Sequence, residues 1–194
     1  SDSSEGVLVK YVINFYGNNV LIKNCSGSGL TIDTISDSYI SNTESSYNSS
    51  RGFYVTNTKR TTFISCSAYG NSIIGMQIIP SDDPTTMFIF CVADGNTTDG
   101  INSSGGQVKF LFCSANDNVG DGFDIIGDGI LFGCSAENNS TDGFQIDDIS
   151  NLVIIGCRGE GNTVTDFDID EDANTIIFMG NSVQKTSAQN KYSI

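Results

Sequence analysis

Two stretches, LFCSANDNVGDGFDIIG (Leu111–Gly127) and LFGCSAENNSTDGFQIDD (Leu131–Asp148), carry nearly the same text. Their cysteines, Cys113 and Cys134, and their Asp-Gly pairs, Asp121-Gly122 and Asp142-Gly143, are offset by 21 residues. Self-similarity at a fixed period decides architecture before local propensity does. The unit is a glycine followed by apolar, polar and apolar residues. It begins at Gly6, Gly29, Gly52, Gly75, Gly100, Gly122 and Gly143, with steps of 21–25 residues. Asp166 replaces the glycine in DFDID, and KYSI from Lys191 reads as a degenerate ninth copy.

A second column travels with the first. Cys66, Cys91, Cys113 and Cys134 each stand nine residues before a repeat glycine, and Cys157 nine before Asp166. Five residues after each comes an asparagine: Asn71, Asn96, Asn118, Asn139 and Asn162. Cys25 precedes Gly29 by only four, which predicts a shortened corner, and Asn42 reads as the replacement for cysteine in the next copy. Short apolar runs such as MFIF, VKFLF and LVIIG precede the cysteines, which is the mark of strands between turns.

These features predict an all-β fold: a single-stranded right-handed parallel β-helix of about eight coils, each of 21–25 residues. The whole chain, 1–194, is expected to form one such domain and to be a segment of a longer protein. Stacked coils lie about 4.8 Å apart, so equivalent residues form ladders. Alternation along the strand after each glycine points Val7, Leu30, Phe53, Met76, Ile101, Phe123, Phe144 and Phe167 inward. The six cysteines are expected as a ladder of free, buried thiols, behaving as small hydrophobes. The asparagines are expected as a corner ladder, bonded coil to coil and tolerant of left-handed backbone. Asp99, Asp121 and Asp142, each just before its glycine, read as turn residues; stacked acids offering oxygen ligands to Ca²⁺ are the alternative.

Composition narrows function. The chain has 23 acidic against 9 basic residues, a formal charge of −14 and no histidine. Phosphate neutralisation needs clustered Lys and Arg, so nucleic acid is not the expected partner, nor is an anionic membrane. The opening, SDSSEGVLVK, is polar, and no apolar run approaches the length of a membrane helix. Without histidine, Ser-His and Cys-His nucleophile pairs are absent and no zinc site is expected; no cofactor is expected, with bound Ca²⁺ the alternative.

On these repeats the sequence resembles the pectate-lyase-like right-handed β-helix proteins, which include pectin-degrading enzymes, alginate epimerases and phage tailspikes. The resemblance runs over essentially the whole chain. It implies a carbohydrate-facing solenoid, tailspike-like or secreted, with a polysaccharide partner and an extracellular or virion-surface location. The chain departs from family signatures. No Lys or Arg joins the acidic file as a lyase base, Gly-His-Gly and Arg-Ile-Lys are absent, and SDDPTT (Ser81–Thr86) has Asp-Pro without a following His. No helix caps either end, which the resemblance matches to long, trimeric tailspikes and hence to a homotrimer.

Candidate chemistry sits in the outward file of the strand after each glycine: Leu8, Thr31, Tyr54, Gln77, Asn102, Asp124, Gln145 and Asp168. A second file holds Asp147 and Asp170, with Asp148 and Asp172 just beyond. Tyr54, Gln77, Asn102 and Gln145 are candidate substrate-binding residues, with Tyr54 a stacking platform for a sugar. Asp124, Asp147, Asp168 and Asp170 are candidate catalytic carboxylates. Acids on adjacent coils lie about 4.8 Å apart and those two coils apart about twice that. This lattice covers the spacings used by retaining and inverting glycosidases. Two readings follow: a face that binds and hydrolyses polysaccharide, and a non-catalytic solenoid that serves as a rigid spacer or assembly module.

Overall fold

The computed structural model describes residues 5–81, 86–147, 151–169 and 175–184. Within them the chain winds through three parallel sheets of eight, eight and seven strands. One winding runs through Phe123–Ile126 in the first sheet, Gly129–Phe132 in the second and Ser135–Glu137 in the third. The described residues make seven complete windings and two strands of an eighth, slightly fewer than expected. The degenerate copy at Lys191 lies outside the described residues.

The expected register holds along the first sheet. Phe53 pairs with Leu30 and Met76, Ile101 with Met76 and Phe123, and Phe144 with Phe123 and Phe167. The inward files fill the core. Phe123 stacks on Phe144 at 4.9 Å and Phe144 on Phe167 at 4.4 Å between ring centroids. From the second sheet, Phe63 and Phe88 stack at 4.5 Å, and Phe110 meets Phe123 edge-on. Burying each such ring stabilises the fold by about 1.5–3 kcal/mol.

Tight corners let the chain turn between sheets. Between the second and third sheets a single left-handed residue makes the bend: Ser65, Phe90, Phe112, Gly133 and Gly156 in successive windings. After the third sheet the left-handed residue is Tyr47, Gly70, Gly95, Asp117, Asn138 or Gly161. Each immediately precedes a ladder asparagine, so the asparagines themselves do not carry the left-handed backbone.

The asparagine column is buried and continuous from Asn48 to Asn162. The Oδ1 of Asn118 accepts from the backbone N–H of Asn96 at 2.9 Å and from its Nδ2 at 3.0 Å. The Nδ2 of Asn118 donates to Asn139 Oδ1 at 3.0 Å and to the Ala93 carbonyl at 3.0 Å. The same pattern recurs at Asn71, Asn96 and Asn139. Glycine is required beside it: a Cβ on Gly122 would come 2.7 Å from Asn139 Nδ2 and 2.6 Å from the Gly143 carbonyl. Asp166 escapes this rule through an exchange of volume. Gly159 pairs with Ala136 in the third sheet, and a Cβ on it would come 2.6 Å from the Asp166 Cβ. The Asp166 carboxylate then accepts from Asn162 Nδ2 at 2.9 Å and from the Gln184 N–H at 2.8 Å.

The cysteine column holds five residues, not six. Cys66, Cys91, Cys113, Cys134 and Cys157 are buried and free. Burial pushes the Cys113 thiol up, and its Sγ donates to the Phe88 carbonyl at 3.4 Å. Cys25 instead occupies the asparagine column, its N–H donating to Asn48 Oδ1 at 3.0 Å. Its four-residue distance to glycine is that of every ladder asparagine, so no corner is shortened. Thr43, not Asn42, takes the cysteine place in the second winding: its carbonyl accepts from Ser67 as that of Cys66 accepts from Val92.

Asn118→Ala leaves two donors of Asn96 and the Ala93 carbonyl without partners. A buried polar group left unsatisfied costs about 1–3 kcal/mol. The variant is expected to lose at least about 2 kcal/mol of stability, read as a lower urea midpoint, and Gly122→Ala is expected to do the same through overpacking.

Candidate functional site

The outer face of the first sheet presents its polar file in unbroken register. Tyr54 pairs with Gln77, Gln77 with Asn102, Asn102 with Asp124, Asp124 with Gln145 and Gln145 with Asp168. Asp147 stands in the neighbouring file, beside Ile126. The structure thus brings Asp124, Gln145, Asp147 and Asp168 onto three successive windings. Asp148, Asp170 and Asp172 lie outside the described residues.

Asp124 is a carboxyl of this face whose pKa is clearly raised. Burial, then the neighbouring Asp99 and Asp121, push its pKa up to about 6, with a smaller push from Asp147; a hydrogen bond from Asn102 Nδ2 to Oδ2 partly opposes them. A carboxyl that holds its proton near pH 6 meets a requirement of a general acid. Gln145 Nε2 donates to both oxygens of Asp147, at 3.0 and 3.2 Å, and so fixes that carboxylate one winding away.

Asp99 and Asp121 were expected as turn residues or, alternatively, as calcium ligands, and they also shape this site. Asp99 Oδ1 accepts from the Asp121 N–H at 3.1 Å, Asp121 Oδ1 from the Asp142 N–H at 2.9 Å, and Asp142 Oδ1 from the Thr165 N–H at 2.7 Å. These carboxylates form a second ladder along the edge of the face. Burial raises the pKa of Asp99. The sequence signal was present: an acid just before the glycine stands three residues from the outward file. Among the described residues, no three Asp, Glu, Cys or His side chains are grouped to hold a metal ion.

The other half of the face is built differently. The Arg51 guanidinium lies 4.8 Å from the Tyr54 ring centroid, and its Nε donates to Gln77 Oε1. A basic side chain therefore does reach this face, beside the two polar candidates and away from the acids. Lys10 pairs with Asp33 at 2.9 Å, while Thr56 Oγ1 and Asn57 Nδ2 donate to Asp33 at 3.0 and 3.1 Å. These partners hold the Asp33 carboxyl well below the usual carboxylate range. A cleft of about 480 Å³ opens over them, lined also by Leu8, Thr31, Tyr54 and Ile79.

With three parallel sheets, a buried asparagine ladder and this outward polar file in place, the chain belongs to the right-handed β-helix family, whose model matches residues 2–130. Among solved structures, the periplasmic alginate epimerase AlgG is similar over 92% of this chain and 47% of its own, at 12% identity and a TM-score of 0.80. Pectate lyase Pel9A is similar over 91% of this chain and 55% of its own, at 18% identity and a TM-score of 0.69. The ORF18 protein of Geobacillus virus E2 is similar over 91% of this chain and 38% of its own, at 18% identity and a TM-score of 0.72. The chain thus spans about half or less of these proteins. No curated protein sequence matches it.

The Asp124 shift has a definite sign. A carboxyl raised in the folded state stabilises least once pH exceeds its folded pKa, so wild type loses stability relative to Asp124→Asn as pH climbs from about 4 to about 6. Carboxyl-carbon NMR titration is expected to place Asp124 near 6, and Asp99→Asn is expected to lower that value.

Proposed function

We propose that the outer face of the first sheet binds a polysaccharide laid along the solenoid axis, with Asp124 as the acid of a hydrolytic pair. The observation that carries this reading is the outward file from Tyr54 to Asp168, in register across six windings and containing Asp124, whose carboxyl is raised to about 6. Tyr54, Gln77, Asn102 and Gln145 supply an aromatic ring and amides for hydroxyl groups. Asp168, two windings from Asp124 in the same file and so about twice 4.8 Å away, and Asp147, one winding on in the neighbouring file, are the candidate second carboxylates. Asp170 remains a candidate on sequence grounds. The fold likeness to a pectate lyase and an alginate epimerase supports a carbohydrate role. Likeness to a viral protein and a periplasmic enzyme supports a place outside the cytoplasm, at a cell exterior or virion surface.

Glycan-array binding with reducing-end detection tests this reading. The double variant Asp124→Asn, Asp168→Asn is expected to abolish cleavage and to weaken binding, with urea stability retained. An array with no bound glycan, or a double variant that binds and cleaves as wild type does, would overturn it.

A second observation favours assembly as a further role. The outer face of the second sheet is apolar over five windings: Met87 and Ile89, then Leu111, Ile130 and Phe132, Val153 and Ile155, and Ile177 and Met179. Lys109 is the one charged side chain on these outer files among the described residues. At the adjoining corner Phe90 and Phe112 stack at 5.4 Å while both remain exposed. Contiguous exposed apolar surface marks an interaction site, and side-by-side copies of this chain, including a homotrimer, would cover it. Light scattering is expected to give a mass above one chain, falling to one chain in Ile130→Glu, Ile155→Glu. A wild-type monomer at high concentration rejects this role.

A further inference from the structure

The cleft at the other end of the first sheet's face contains an unexplained polar group. Thr31 stands in the outward file between Leu8 and Tyr54, yet it is only 5% exposed. Its Oγ1 has no hydrogen-bond partner among the described residues. A buried hydroxyl without a partner is a standing free-energy cost in a native fold, and it calls for an explanation. Asp33 accepts from Lys10, Thr34, Thr56 and Asn57, and Arg51 is held between Tyr54 and Gln77.

The lining alternates two kinds of surface. Leu8, Tyr54 and Ile79 supply apolar patches; Thr31, Thr56 and Asn57 supply hydroxyl and amide groups. Such a mixture suits a ligand with C–H faces and hydroxyl edges, which is the surface of a sugar ring. Charge narrows the class. Glu5 and Asp33 line the cleft against a single cation, Lys10, whose ammonium is already held by Asp33. A carboxylated sugar would therefore meet net negative charge with no uncommitted cation in the lining to receive it, whereas a neutral sugar meets no such penalty.

We infer that this cleft is a subsite for a neutral sugar residue, with rotation of the Thr31 side chain bringing its sealed hydroxyl to a ligand hydroxyl. The inference rests on the reading of the first sheet's face as a glycan surface, and it adds the chemical class that the face selects and a contact about four windings from Asp124. The subsite orients the chain by holding one end of it while the acid ladder meets the other.

The test uses Thr31→Val, which keeps the shape of the side chain and deletes the hydroxyl. Probes are cellohexaose, maltohexaose, laminarihexaose and mannohexaose as neutral chains, with hexagalacturonate and hexamannuronate as anionic ones, read by calorimetry and by NMR shifts of the Leu8, Thr31 and Ile79 methyls. The expected result has three parts: a neutral chain binds and shifts those methyls, the uronates do not, and Thr31→Val weakens binding about tenfold with an unchanged or higher melting temperature. Equal binding of uronates, or a Thr31→Val variant with wild-type affinity, would overturn the subsite. If glycans bind with shifts confined to the Asp124 end, the subsite fails and the glycan reading stands. If no glycan binds at all, both fail.

Discussion

One hydrogen-bonded contact holds the repeat in register. Each ladder asparagine from Asn71 to Asn162 accepts, on a single oxygen, both the backbone N–H and the amide N–H of the asparagine in the preceding winding. Because side chains in a strand alternate with period two, a slip of one residue would turn every core residue out to solvent. The asparagine column forbids that slip. Its amide also leaves no room for a Cβ on the repeat glycine of the preceding winding, so the two columns of the repeat enforce each other. The core phenylalanines and thiols then pack at the spacing that this register dictates.

With the windings locked, the outside is free to vary, and the three sheets have taken different chemistry. The first carries amides and carboxylates. The second is apolar through much of its length. The third is stitched by ion pairs, Lys23 with Glu44 and Arg158 with both Glu137 and Glu160. Exposed pairs of this kind contribute little to stability, so the third face is mainly a solvated one. A net charge of −14 is thus distributed unevenly, and the acids gather where their mutual repulsion and partial burial raise Asp124. That concentration of like charge is costly for folding and useful for proton transfer. Its presence on the one face with an unbroken polar file is why that face, rather than the others, carries the functional proposal.

Period, inward files and outward files were legible because a solenoid converts sequence spacing directly into spatial stacking. Phe123, Phe144 and Phe167 could be aligned from their distance to the glycine alone, and they stack as that spacing requires. The reading erred where residue type was weighted above spacing. Cys25 was grouped with the other cysteines, although its four-residue distance to Gly29 placed it among the asparagines. Thr43 was passed over for Asn42 for the same reason. Asp99 and Asp121 were read as turns because an Asp-Gly pair commonly is one. Their electrostatic effect on Asp124 depends on burial, which a one-dimensional pattern does not contain.

The amino-acid order alone determined the winding, its register and the inventory of each face, since these follow from periodicity and from the side-chain alternation of a strand. Only the folded chain decided which polar groups lost their water. Asp124 and Thr31 occupy the same outward file and look equally exposed in sequence, yet the first is partly buried among acids and the second is sealed with its hydroxyl unmatched. Solvent exclusion depends on how neighbouring windings drape their side chains across one another. That is a property of several coils at once, and no single repeat encodes it.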